Sequence, residues 1–139
     1  MLLQKTDKGY IARLEKGERF METLVQFVER EGMATGFFYG IGAALEAELG
    51  LYILDRKEYQ FKHLNGPLEI VSVIGDITQV EGRPFVHAHM SVADESLHMF
   101  GGHVKEVTIG ATCELFITNV PLAIHRELDH EIGLKLLSL

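Results

Sequence analysis

Three histidines have the types and spacing for chemistry: His87 and His89 in "PFVHAHMSVAD" and His103 in "MFGGHVKE". On a strand, residues i and i+2 share a face, about 6.6 Å apart along the backbone. Two imidazoles so placed can both turn toward one ion about 2.0–2.1 Å from each nitrogen. The polar turn "DES" brings the chain back, and Gly101-Gly102 permits a bulge or a close approach just before His103. An antiparallel return sets His103 beside the pair. Three histidines without a thiolate describe a zinc-type site with an open fourth position, which nickel, iron or cobalt would also accept. Water at such a position can have a pKa as low as about 7. The His-x-His pattern is short, however, and also suits histidines that bond only to neighbours or solvent on an open sheet face.

Two carboxylates interrupt apolar strands, Glu69 in "PLEIVSV" and Glu114 in "TCELFI". Each needs a partner or a wet cavity. Both are candidates for proton transfer or for support of a metal ligand. A structural hydrogen bond or an intersubunit contact is the competing explanation, and the commoner one. Strand alternation points Cys113 away from Glu114, as a buried apolar residue rather than a soft ligand. His98 is expected exposed near a turn. His63 shares a face with Tyr59 and Phe61 and is expected packed or at an interface. His125 and His130 are expected solvated in a polar loop.

The elements that must position these residues are mostly strands. The clearest exception is "GERFMETLVQFVEREG", where Phe20, Met21, Leu24, Val25, Phe27 and Val28 recur at helical spacing. It predicts one main amphipathic helix over about residues 18–31, opened by Gly17 and closed by Gly32 in a left-handed cap. "YIARLE", "MATGFFYGIG", "ELGLYILD", "EYQFKHL", "GPLEIVSVIGDIT", "PFVHAHMSVAD", "MFGGHVKE", "IGATCELFITNV" and "GLKLLSL" read as strands, with a hairpin around Asp55-Arg56-Lys57. One helix among many strands, without regular alternation, predicts an α+β fold with a mostly antiparallel sheet. The 139 residues suit one domain, 1–139.

Composition narrows the function classes. The net charge is −7, and three copies together would carry −21, a field that repels phosphate backbones. "MLLQKTDKGY" lacks a signal-peptide pattern, and "GFFYGIGAAL" is too short and too glycine-broken to span a bilayer. The single cysteine excludes an internal disulfide. A soluble, cytoplasmic protein without a membrane partner is expected.

"VHAHMSVAD" followed by "GGHV", with "GPLEIVSVIGDI" upstream and "ATCELFI" downstream, resembles the plants-and-prokaryotes-conserved (PPC) domain family. "LEKGERFMETLVQFVEREGMATGFFYGIGAALEAELGLY" is similar to the family's helix, strand and Gly-x-Gly segment, so the resemblance spans nearly the whole chain. It implies a homotrimer, and a divalent metal, usually taken as zinc, on His87, His89 and His103. It implies a fold similar to that of acetolactate decarboxylase, another three-histidine metal protein, and by that analogy a metal-dependent lyase or hydrolase. Plant members join this domain to AT-hooks in nuclear DNA-binding proteins, and stand-alone members carry a DNA-binding label by that association. A small-molecule ligand at the metal is a further implied partner. Where plant members read Gly-Arg-Phe-Glu-Ile-Leu this chain has "GPLEIV", losing the arginine and the aromatic. "EGRPF" holds the Gly-Arg-Pro core of an AT-hook at Gly82, Arg83 and Pro84, but without basic neighbours it reads as a turn.

Overall fold

Apolar and polar residues alternate through three unusually long strands, and this alternation divides the molecule into an inner and an outer face. The computed structural model describes residues 1–139. In chain order the elements are β1 (Leu2–Thr6), β2 (Gly9–Glu15), α1 (Phe20–Glu31), β3 (Gly36–Ile53), β4 (Glu58–Val80), β5 (Arg83–Ala93), β6 (Met99–Asn119), β7 (His125–Asp129) and β8 (Leu134–Ser138). Segments expected as separate strands are continuous here. "MATGFFYGIG" and "ELGLYILD" contribute to β3, "EYQFKHL" and "GPLEIVSVIGDIT" to β4, and "MFGGHVKE" and "IGATCELFITNV" to β6. Register shifts at Gly40/Gly42 and Ala44/Glu46 interrupt the β3–β4 ladder where the glycine- and alanine-rich sequence had suggested a break.

Four strands form a closed ladder: β3 pairs with β4 and β6, while β5 pairs with β4 and β6. The β1–β2 hairpin extends this sheet along β6. The β7–β8 hairpin joins the β4 edge through one parallel bridge, Gln79 to His125; every other ladder is antiparallel. The expected α+β fold with a mostly antiparallel sheet and one main helix is therefore observed. His125, expected in a loop, instead begins β7, and β1 was not anticipated.

The inner face carries Val86, Ala88, Met90 and Val92 of β5, Val104, Val107 and Ile109 of β6, and Phe38 of β3. Helix α1 packs onto it through Phe20, Leu24, Phe27 and Val28, all fully buried. The helix starts at Phe20, two residues later than expected. Glu18 is held in the preceding turn, where it accepts the Glu15 backbone N–H at 2.7 Å and pairs with the Met1 ammonium. The first turn is capped from β6, because Glu106 accepts the N–H groups of Met21 and Glu22 at 2.9 and 3.3 Å. Gly32 closes the helix at φ 64°, as expected. Cys113 is buried on the inner face.

The outer face is also apolar but uncovered. Phe37, Tyr39 and Ile41 of β3, Ile74 of β4 and Phe116 of β6 are all exposed, with Ile41 and Ile74 60% and 64% accessible. Register places Tyr39 opposite both Ile74 and Phe116, and the Tyr39 and Phe116 rings stack at 5.5 Å. Of the AT-hook-like residues only Gly82 lies in the turn: Glu81 and Gly82, at φ 51° and 75°, connect β4 to β5, while Arg83 and Pro84, expected in the turn, are the first residues of β5 and pair with Val80 and Gln79. No helix is long and apolar enough to cross a membrane.

Candidate metal centre

The inward packing of Val86, Ala88 and Met90 leaves His87 and His89 on the opposite side of β5. Across the ladder His87 faces Asp76 and His89 faces Ile74 on β4. On the other side His89 faces His103 of β6, which also pairs with Gly50 of β3. One junction of the closed ladder thus gathers all three imidazoles. Their ring centroids are 5.1–5.6 Å apart, and each contributes a ligand atom within 4.8 Å of the others. Tetrahedral coordination at 2.0–2.1 Å requires nitrogens about 3.4 Å apart, a difference that modest side-chain rotation removes. The triad could hold a metal ion.

Gly102 makes the approach of β6 possible. A Cβ there would lie 2.6 Å from the Gly50 carbonyl oxygen, so only glycine lets β6 lie this close to β3 beside His103. The close approach expected of Gly101-Gly102 is present, but the bulge is not. The β5–β6 register is regular there, and the β3–β6 ladder instead shifts between Glu48 and Leu49, beyond His103.

His103 stacks on Tyr59, ring centroids 4.5 Å apart. Its Nδ1 is buried and has no hydrogen-bond partner. Burial first, then the neighbouring His87 and His89, pushes its pKa down to about 4. His89 is lowered too, by burial and then by His87. Both rings are therefore neutral near pH 7, with lone pairs available for a cation. The unsatisfied nitrogen and the neutral donor set both fit a divalent metal.

Behind His87 lies a polar relay that the sequence reading missed. Asp76 Oδ2 is 3.5 Å from His87 Nδ1. Arg126 Nη2 donates to both Asp76 oxygens at 2.9 Å, Nε donates to Thr78 Oγ1 at 3.0 Å, and Nη1 donates to the Lys135 carbonyl at 3.0 Å. Arg126 Nη2 is also 3.5 Å from His87 Nδ1. One ring nitrogen cannot both donate to Asp76 and accept from Arg126. Since Asp76 already takes the Nη2 proton pair, the electrostatically sound tautomer has Nδ1–H pointing at the carboxylate and Nε2 free for a ligand. Burial would raise the Asp76 carboxyl, but the hydrogen bonds from His87 and Arg126 and the Arg126 charge outweigh it and hold it below the usual range.

Glu69 and Glu114 lie elsewhere. Both are exposed, Glu69 opposite Ala43 and Ala93, Glu114 opposite Ile41 and Arg13. Glu69 lies roughly 23 Å of strand away from Asp76. The carboxylate that reaches the histidines is Asp76. His63, expected packed or at an interface, is exposed with Nε2 3.2 Å from Asn65 Oδ1. Tyr59 lies against His103, and the Tyr52 hydroxyl donates to the Ile132 carbonyl at 2.8 Å. His98 and His130 are exposed.

Two cavities flank the triad. One, about 320 Å³, lies under the β7–β8 hairpin between His87, His103, Tyr59 and Phe85. The other, about 420 Å³, opens over the outer face beside Phe37, Ile74, Asp76, His87 and His89.

The sequence profile of the Plants and Prokaryotes Conserved (PCC) domain matches residues 2–121. The chain belongs to that family. The β7–β8 hairpin, with Arg126, lies beyond the matched segment of this PCC protein. Its fold is similar to a Ralstonia eutropha JMP134 protein provisionally called DNA-binding, with 33% identity, 99% of this chain and 95% of that one covered, and a TM-score of 0.92. It is similar to a metal-containing protein of Archaeoglobus fulgidus at 28% identity, with 98% of each chain covered and a TM-score of 0.85. Acetolactate decarboxylase of Bacillus subtilis shares the fold at 11% identity and a TM-score of 0.60, over 88% of this chain and 57% of that one. Comparison with curated proteins returns no match.

Proposed function

We propose that this PCC protein is a cytoplasmic, single-domain homotrimer that binds one divalent metal ion per chain, zinc under ordinary conditions, through His87, His89 and His103. The observation that carries the reading is the convergence of three imidazoles within 4.8 Å, with a carboxylate behind one of them. The metal-containing A. fulgidus relative supports it. Elemental analysis of protein purified without added metal tests it. About one equivalent per chain, lost when any of the three histidines becomes alanine, is expected. Less than a third of an equivalent, unchanged by those substitutions, overturns it.

A bound zinc would supply Lewis acidity at an open coordination position. The chain's own contributions are distinct. Asp76 sets the His87 tautomer, Tyr59 orients His103 by stacking, and the cavity under the β7–β8 hairpin admits a small ligand. This cavity is what favours a lyase or hydrolase over a purely structural metal. The trimer is supported by the apolar outer face formed by Phe37, Tyr39, Ile41, Ile74 and Phe116, which a second copy can cover. If chelation leaves the assembly intact, the metal serves ligands; if the assembly dissociates, the metal is structural.

DNA binding is the second reading, favoured by the provisional description of the R. eutropha relative. The charge of −7 and the pairing of Arg83 and Pro84 in the β4–β5 hairpin argue against direct contact. No sequence-selective gel shift is expected at about 150 mM salt; sub-micromolar selective binding would reverse this order of preference.

A further inference from the structure

The cavity of about 320 Å³ is bounded by the histidine triad and by the β7–β8 hairpin. His87 and His103 form one end. Phe85, Tyr59, Leu128, Leu134 and Leu136 supply its apolar walls. The volume lies at the lower end of the range for small-molecule sites, which suits a metabolite-sized guest.

The charge around this space has one sign. None of the lining residues is an acid, whereas Arg126 and Lys135 are cations. Asp76, which backs His87 at 3.5 Å, is paired with Arg126. Arg126 itself is 8% exposed and spends Nε, Nη1 and Nη2 on Thr78, Lys135 and Asp76. The Arg126–Asp76 pair therefore adds little net charge to the cavity and offers no free donor, which leaves Lys135 as the unpaired cation of the lining. Lys135 makes no ion pair and stands at the exposed rim. A cation at the triad would leave the deep end positive and seeking an oxygen donor.

We infer that this cavity binds a small carboxylate with an aromatic or branched aliphatic body. The carboxylate lies toward the triad, and the body packs among Tyr59, Phe85, Leu128, Leu134 and Leu136. The inference rests on the metal reading above and adds the ligand class to it. The hairpin is then the wall that selects the body of the ligand. It is held to the sheet by the Gln79–His125 bridge, by Arg126, and by the bonds from Tyr52 and Lys57 to the Ile132 and His130 carbonyls.

Calorimetric titration of the zinc-loaded full-length protein with phenylacetate, acetate and benzylamine tests this. Phenylacetate should bind at least tenfold more tightly than acetate, and benzylamine should not bind. Leu136→Trp, which fills the cavity from a position already 40% exposed, should weaken phenylacetate at least tenfold while acetate affinity and zinc content stay within twofold. Leu128→Ala, which removes wall rather than adding bulk, should weaken phenylacetate about threefold. Equal affinity for phenylacetate and acetate in fully zinc-loaded protein would overturn this inference and leave the metal reading standing. Failure of every preparation to retain zinc would overturn both. Unchanged phenylacetate binding after chelation would overturn the placement of the carboxylate, and preferential benzylamine binding would overturn the assigned sign.

Discussion

Arg126 Nη2 lies 2.9 Å from both carboxylate oxygens of Asp76, so the C-terminal hairpin grips the strand residue that backs His87. Removing this grip leaves Asp76 and Thr78 without their donor. Arg126→Met is expected to cost about 1–3 kcal/mol, discounted from a fully buried pair because Asp76 is partly exposed. Urea unfolding measures the loss. Limited proteolysis beyond Asn119 should accelerate in the same variant, because the hairpin keeps one backbone bridge and two side-chain bonds.

Asp76 stands behind His87, 3.5 Å from its Nδ1, and is not one of the three clustered donors. Asp76→Asn should therefore lower zinc affinity about 10–100-fold at unchanged stoichiometry. Competition with a chromophoric chelator reads this directly. Glu69→Gln and Glu114→Gln, on exposed positions outside the cluster, should change it by less than twofold.

Acid should destabilise the metal-free protein in a defined window. The folded pKa of His103 is lowered from 6.5 to about 4, so the unfolded chain binds the extra proton first. Stability should be full above about 6.5 and fall as pH drops toward about 4. The lowered Asp76 carboxyl acts in the same direction, its contribution being lost as pH falls through its depressed folded pKa. Urea midpoints of chelator-treated protein between pH 7.5 and 4 should follow this course, and His103→Phe should flatten it.

The uncovered sheet face makes its own prediction. Tyr39 is 52% exposed and stacked on exposed Phe116, so Tyr39→Glu should leave the folded chain intact while reducing the mass of the assembly in solution. Light scattering after gel filtration measures it, and an unchanged mass would remove this face from the interface.

Gly102→Val should push β6 from β3 beside His103. Loss of about 1–3 kcal/mol and of tight zinc binding are expected together.

Much of this architecture was legible from local pattern. Phe20, Leu24, Phe27 and Val28 recur at the helical period, and their burial makes α1. The alternation of Val86, Ala88 and Met90 with His87 and His89 already placed the histidine pair away from the core. Asp76 gave the same signal as Glu69 and Glu114, an acid in an apolar strand. Alternation says which side such a residue takes but not which residue faces it. That depends on register, and register set Asp76 against His87 and Glu69 against Ala93.

The chain by itself determined the element types, the outward pair of imidazoles and the glycine that admits a close neighbour, because those follow from period and backbone sterics within a few residues. The expected return does bring His103 to the pair, but only the tertiary structure decided that Asp76 is the acid behind it and that Arg126 arrives from a hairpin fifty residues further on. Closing the ladder through β3, β4, β5 and β6 brings those residues together, and pairing between distant segments is a property of the whole sheet rather than of any one stretch.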